Sequence, residues 1–463
     1  MEKENFFVKN KSILTFLILE VVALTAFNFG NISHIFGLAG ALLAVVGVFF
    51  ILGIEKDKKA LLPALIPVGL LLVISLIGSL NSFAKGFTTI SNLAVLLSLP
   101  AFLALGFFLR KLNDVKTRTV LLVIGGAFAA VTLFGLFSTI FEYGFFYKLL
   151  YKNKPNYYYN GIPYDVTKEM YWLSGFSFTE VYIEYGSLFA VLTASFLPGL
   201  LFLSPKKERN NFIICAAIGG VGLISLLVLP NFKAILVLAI ASLFAVAYRF
   251  LKNNQKVLKI LGISFASIVG LAVLFFVIAL INVAAGYKLP GILNRVFAQN
   301  RFMTNITPVM EALFIKVGGK MVNFFGLMPT IANEKITWLE THMFEVQLLK
   351  EIGLIGTLLF GAFIILMGYF ILHYLKNNED SDCAKNIFVV MLLTFFIYES
   401  FYQVIVVGPH IESYEAFLRS PTLLVMLFIF GYIFTLPLKK EEEQHEEKNS
   451  FTSISRYNFI VMC

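Results

Sequence analysis

Charge is what this chain has least of. Asp, Glu, Lys and Arg make up 14% of its 463 residues, where a soluble domain carries about a quarter. With 58% hydrophobic residues and a mean hydropathy of +0.82, that deficit excludes an ordinary soluble domain and indicates a polytopic membrane protein. Cysteine is scarce as well: Cys215, Cys383 and Cys463 are the three. The topology below puts one in a span and two on the cytoplasmic side, so no disulfide framework is expected. No small-residue cleavage site follows the first apolar run, which reads as a retained span. Low-complexity segments and clear internal repeats are absent.

What is there is a succession of apolar runs. About twenty apolar residues cross a bilayer core, and twelve such runs lie near 12–29, 33–54, 60–80, 92–109, 119–140, 181–203, 212–230, 234–250, 260–282, 352–375, 386–408 and 420–438. The net charge of +9 would suit nucleic acid, but the basic residues sit in short clusters between these runs. Segments 1–11, 55–59, 110–118, 204–211, 249–259 and 376–385 hold nineteen Lys and Arg. The short alternate loops 30–32, 81–91, 231–233 and 409–419 hold three, Lys85, Lys233 and Arg419. The positive-inside rule then places both termini in the cytoplasm. The expected fold class is an all-α polytopic membrane protein of about twelve transmembrane helices. Residues 1–438 form a single membrane domain and 439–463 a solvated charged tail.

Two extracytoplasmic loops are long, 141–180 and 283–342, and loops of that length are often functional. The first is dense in tyrosine, which suits either an interfacial belt or stacking on sugar rings. In the second, Ile306, Val309, Met310, Leu313 and Phe314 recur at helical spacing after Pro308, as in an amphipathic helix on the outer membrane surface. Arg301 stands just before it, and Arg295 six residues earlier. Lys316 and Lys320 read as contacts to lipid headgroups. Lys233, on the tight turn Pro230-Asn231-Phe232-Lys233, either snorkels to the interface or meets an anion in a cavity. Glu20 and Glu399 fall near the middle of runs one and eleven, where a charge costs about 2.5–3.5 kcal/mol on insertion scales. They read as carboxyls facing the bundle interior, tying helices together or serving a site.

The stretch THMFEVQLLKEIGLIGTLLF, Thr341–Phe360, places His342 at the mouth of a span. Met343 follows, then nine residues, Gly353, two residues and Gly356. This spacing resembles the signature of the O-antigen ligase and polysaccharide (O-antigen, capsule) polymerase superfamily, in which a histidine and a small polar residue precede nine residues and a Gly-x-x-Gly. NRFMTNITPVMEALFIK resembles the arginine-led outer-loop helix of that family, which maps its arginine onto Arg301. PNFKAILVLAIASL resembles its Ser-Arg-Gly turn, with Lys233 where arginine is usual. Met343 stands where Asn, Ser or Gln is usual. Lys233 keeps the charge but not the bidentate fork. The likeness is closest over 295–372 and weaker over 172–245.

The resemblance implies a GT-C-like fold and an inverting glycosyltransferase in the bacterial cytoplasmic membrane, active in cell-envelope biogenesis. Such enzymes move glycan from an undecaprenyl-diphosphate carrier to a hydroxyl of a glycan or lipid-linked acceptor on the outer face, without metal or nucleotide cofactor. An unperturbed imidazole titrates near pH ~6.5, which suits a general base, so His342 is the candidate catalyst. Glu345, one turn on if the segment is helical, either orients the imidazole or faces water. Arg301, Lys233 and Arg295 are the candidate diphosphate-binding cations. Gly353 and Gly356 would admit another helix closely. Polymerase is favoured over ligase. A secondary transporter or a polysaccharide flippase is the competing expectation, with two mid-span carboxylates in its favour and the lack of repeats against it.

Overall fold

The structure is a computed structural model. It describes residues 10–27, 31–54, 62–84, 89–112, 116–140, 157–159, 162–164, 183–228, 232–251, 256, 259–260, 263, 267, 274, 344–377, 383–401 and 421–433. In chain order the helices are α1 (Lys11–Phe27), α2 (Asn31–Ile54), α3 (Leu62–Ala84), α4 (Thr89–Leu112) and α5 (Thr117–Ile140). After the hairpin β1 (Tyr157–Tyr159) and β2 (Ile162–Tyr164) come α6 (Ile183–Ala194), α7 (Phe196–Gly199), α8 (Arg209–Val228) and α9 (Phe232–Leu251). The last three are α10 (Phe344–Asn377), α11 (Cys383–Phe401) and α12 (Pro421–Ile433). Every apolar run expected from the sequence except the ninth coincides with a helix. The ninth, 260–282, lies outside the described residues apart from the helical positions Ile260, Ile263, Ser267 and Leu274.

Three of the described helical segments are long and apolar enough to cross a membrane, Thr117–Phe137, Arg209–Val228 and Ile352–Ile371. At 1.5 Å per residue, twenty residues span about 30 Å, the thickness of a hydrocarbon core. By length and composition the chain is therefore a multi-pass membrane protein. The pattern of exposure agrees. Leu42, Val45 and Phe49 on α2, and Leu358, Ile365 and Tyr369 on α10, are large side chains left exposed at spacings of three, four and seven. An apolar stripe of that kind suits lipid and not water.

The hairpin is the one departure from an all-α chain among the described residues. Its strands pair antiparallel with Tyr157 opposite Tyr164 and Tyr159 opposite Ile162. In sequence the dipeptide Asn160-Gly161, of the kind that two-residue hairpins favour, stands between the two strands.

The centre of the bundle is α4 and α12. Every residue from Ser98 to Leu109 and from Thr422 to Ile433 is buried, as expected of helices that are apolar all round and surrounded by others. The two lie against each other through glycine. A Cβ placed on Gly106 would fall on the carbonyl oxygen of Phe428 and within 2.6 Å of the nitrogen of Tyr432. A Cβ on Gly431 would fall on the carbonyl of Leu103. Gly222 of α8 meets the backbone of Ala190 and Ala194 in α6 in the same way. Small residues allow such backbone contact, and in lipid that contact replaces hydrophobic burial as the force between helices.

Polar groups in the bundle are few and local. The Thr132 and Thr193 hydroxyls, on α5 and α6, stand 2.9 Å apart. Each also lies within bonding distance of the carbonyl four residues back, that of Phe128 at 2.8 Å and Phe189 at 2.7 Å. With one proton apiece they satisfy two of these three contacts at a time. Arg118 donates to Glu208 at 2.9 Å, and the Arg110 guanidinium lies 5.9 Å from the ring centre of Tyr432. The first pair joins segments 110–118 and 204–211, which the charge asymmetry assigns to one side of the membrane. At 40% and 30% exposure it is worth little energy; its use is as a marker of that shared side.

Gly106→Ala should lower the thermal midpoint of the detergent-solubilised protein, because the added methyl meets backbone that cannot rotate away, at a cost of about 1–3 kcal/mol. Gly126→Ala on α5, where nothing stands within 4 Å, should leave the midpoint unchanged or slightly raised.

Candidate functional site

His342, Glu345, Gly353 and Gly356 lie at the start of α10 in sequence, and the structure describes that start from Phe344 onward. Glu345 is its second residue; its pairing with His342 rests on residues outside those described. His342, Arg295 and Arg301 lie outside the described residues. Lys233 is the second residue of α9, in its first turn. A cavity shared by the imidazole and the cations would rest on residues outside those described.

What the structure adds is the geometry of the two glycines. Gly353 has φ 68° and ψ −171°, a combination essentially confined to glycine. The helix breaks there. The break falls at a chemical boundary. Before it, FEVQLLKEI carries Glu345, Gln347, Lys350 and Glu351; after it, Leu354 to Ile371 contains no charged residue. The candidate span is Ile352–Ile371. The polar segment next to His342 is therefore a separate short helix, turned away from the axis of the span that follows.

Two further contacts belong to the break. In an unbroken helix Ile352 and Gly356 would be successive turns of one face, with separate Cβ atoms. Here a Cβ on Gly356 would stand 2.6 Å from the Cβ of Ile352, and the three atoms nearest to it all belong to Ile352. The Thr357 hydroxyl donates to the Gly353 carbonyl at 2.7 Å, which gives that oxygen a partner in the first turn of the span. The glycines expected from sequence to admit another helix thus act within α10: Gly353 turns the backbone, and Gly356 makes room for Ile352. Leu348 and Ile352 are buried, at 3% and 0% exposure, so the short segment is anchored by one apolar edge. Phe360, Phe363 and Met367 continue the buried stripe along the span.

The hairpin in the tyrosine-rich segment is a feature that sequence reading passed over. Asn-Gly between Tyr157–Tyr159 and Ile162–Tyr164 is its signal. Glu399 falls in α11 beside Tyr398, which is fully buried. Glu20 is exposed on α1, whereas the sequence reading turned it toward the bundle interior. The neighbours of α1 pack on its opposite face, where Thr15, Ile18, Val22 and Thr25 are buried.

No protein-family model and no curated protein matches this chain.

Gly353→Ala should destabilise the protein by about 1–3 kcal/mol, the cost of an L-residue in that conformation, read as a lower thermal midpoint. Gly356→Ala should also destabilise it. Combined with Ile352→Ala, which alone removes a buried side chain at about 2–5 kcal/mol, it should cost less than the sum, since the Ile352 Cγ1 and Cδ1 contacts at 2.8 and 2.9 Å are gone and only the Cβ contact at 2.6 Å is left. Gly361→Ala, with open space around it, is the neutral control; additivity of 352 and 356 in the double-mutant cycle would contradict the contact.

Proposed function

We propose that this chain is a membrane glycosyltransferase of the O-antigen ligase and polysaccharide polymerase type. It takes glycan from an undecaprenyl-diphosphate carrier and joins it to an acceptor hydroxyl on the outer face of the bacterial cytoplasmic membrane. The chain then crosses about twelve times in a GT-C-like arrangement, with both termini in the cytoplasm and 141–180 and 283–342 outside. The observation that supports this best is the break at Gly353. It separates a charged segment beginning beside His342 from an apolar span, at the first glycine of the His-Met-x9-Gly-x-x-Gly spacing. A residue required to work on a lipid headgroup belongs at such a boundary and not within the span.

The chemistry assigns one task to each candidate. His342 accepts the proton of the acceptor hydroxyl as its oxygen attacks the anomeric carbon. The bond from that carbon to the diphosphate breaks with inversion, and its electron pair leaves on the phosphate oxygen. Arg301, Lys233 and Arg295 stabilise the charge that develops there. Glu345 holds the imidazole in the orientation that accepts the proton. The polyprenyl tail stays in the bilayer throughout. Polymerase is preferred to ligase because nothing in the sequence marks a dedicated lipid acceptor site.

His342→Ala and Arg301→Ala should abolish polymer formation while protein level is kept, a loss of at least about 100-fold if the imidazole is the general base. Lys233→Arg should retain turnover and Lys233→Ala weaken use of the donor. Purified protein supplied with lipid-diphosphate-linked repeat units should give a ladder of products on a gel, and a single transfer product would instead mean ligase. Normal polymer from both the His342 and Arg301 variants would defeat the assignment.

A further inference from the structure

The first helix carries an acid on the wrong face for a chain that needs nothing else. α1 buries Thr15, Ile18, Val22 and Thr25 against α5, α2 and α12. No described element covers its other face: Ile13, Phe16 and Leu17 are 60%, 65% and 39% exposed, and Glu20 is exposed one turn further along the same stripe. The positions 13, 16, 17 and 20 follow the three-and-four spacing of one helix face. Glu20 makes no hydrogen bond or ion pair with a described residue.

Its depth makes this informative. Glu20 lies nine residues, about 13–14 Å, along the helix from Lys11, and α1 runs beside α5, whose Thr117–Phe137 segment is a candidate span. Long basic side chains escape such a position by reaching for the interface; a glutamate is too short. Acids in spans accordingly face protein or a water-filled cavity, paired with a donor or a cation. A second copy of this chain is the poorer occupant. Two copies in one membrane run parallel, and a two-fold axis along this face would set Glu20 against Glu20 at equal depth, like charge against like. Among the described residues, the basic side chain of α1 itself, Lys11, stands at the first position of the helix.

We propose that the Ile13–Phe16–Leu17–Glu20 face of α1 is the docking surface for a transmembrane helix of a different protein, one that carries a lysine or arginine within its apolar span. The apolar residues supply shape, and the buried pair supplies register and choice of partner. This inference is independent of the catalytic reading.

The test places a photo-crosslinking benzoylphenylalanine at Phe16 or Leu17 of the full chain in its native membrane, with Leu358 on the exposed face of α10 as control. The expected result is an adduct from 16 and 17, absent from 358, with a protein whose captured span contains Lys or Arg. Glu20→Lys should reduce the adduct at least tenfold, and exchanging the partner's basic residue for Glu should restore it in that variant alone. Glu20→Gln, which keeps size and removes charge, should weaken the adduct while leaving the thermal midpoint of the purified chain unchanged. Adducts only at twice the mass of this chain, no protein adduct, a captured span without a basic residue, an adduct indifferent to Glu20→Lys, or failure of the charge exchange to restore it would each overturn the proposal.

Discussion

The crossing of α4 and α12 at Gly106 and Gly431 is the contact on which the described bundle depends. In water, burying these helices would be driven by the removal of apolar surface. In hydrocarbon that drive disappears, because a leucine gains nothing by leaving a lipid tail for another leucine. What is left is fit. Two backbones separated by no side chain give the densest contact two helices can make, and both helices are buried on every side around it. The same device recurs where Gly222 meets α6. Polar pairing is secondary: the Thr132 and Thr193 hydroxyls add one link between α5 and α6, and Arg118 with Glu208 sits at the half-exposed rim.

Within that frame α10 is the exception, and glycine is again the means. Among the described helices, α10 is the one with a non-helical residue inside it, Gly353, where it turns. The turn coincides with the change from charged to uncharged sequence. A straight continuation would carry Glu345, Gln347, Lys350 and Glu351 along the axis of the span. The break instead allows a short segment to take its own direction while Leu348 and Ile352 keep it attached to the bundle. For a proposed enzyme whose substrate has a lipid tail and a charged headgroup, that division between anchored span and interfacial segment is the physical requirement.

Much of the fold was legible because the bilayer constrains it so tightly. Apolar runs of fixed length separated by basic clusters have few interpretations, and the helices follow them nearly run for run. The identity of each helix face was not legible. Leu358 and Phe360 are both apolar and two residues apart, yet one is 64% exposed and the other 2%; hydropathy cannot separate lipid from protein as a neighbour. The Gly-x-x-Gly of α10 could be read as a packing face, since the pattern is shared by close helix pairs. Its positive φ and the approach of Ile352 to Gly356 become visible only in three dimensions. Glu20 shows the converse. An acid in a span reads as turned inward, but α1 presents it outward because its small and β-branched side is the one that packs. The hairpin at Tyr157–Tyr164 had a sequence signal in Asn160-Gly161, overshadowed by the tyrosines around it.

The central claim is that the break at Gly353 delivers the segment headed by His342 to the outer face of the membrane. A single cysteine at 342, in a chain with Cys215, Cys383 and Cys463 replaced by serine, tests it directly in intact cells treated with a membrane-impermeant maleimide. The account predicts that this cysteine is labelled from outside, while one at the exposed Lys116 is labelled only after the membrane is opened. Labelling of 342 only after opening, or from neither side, would contradict it.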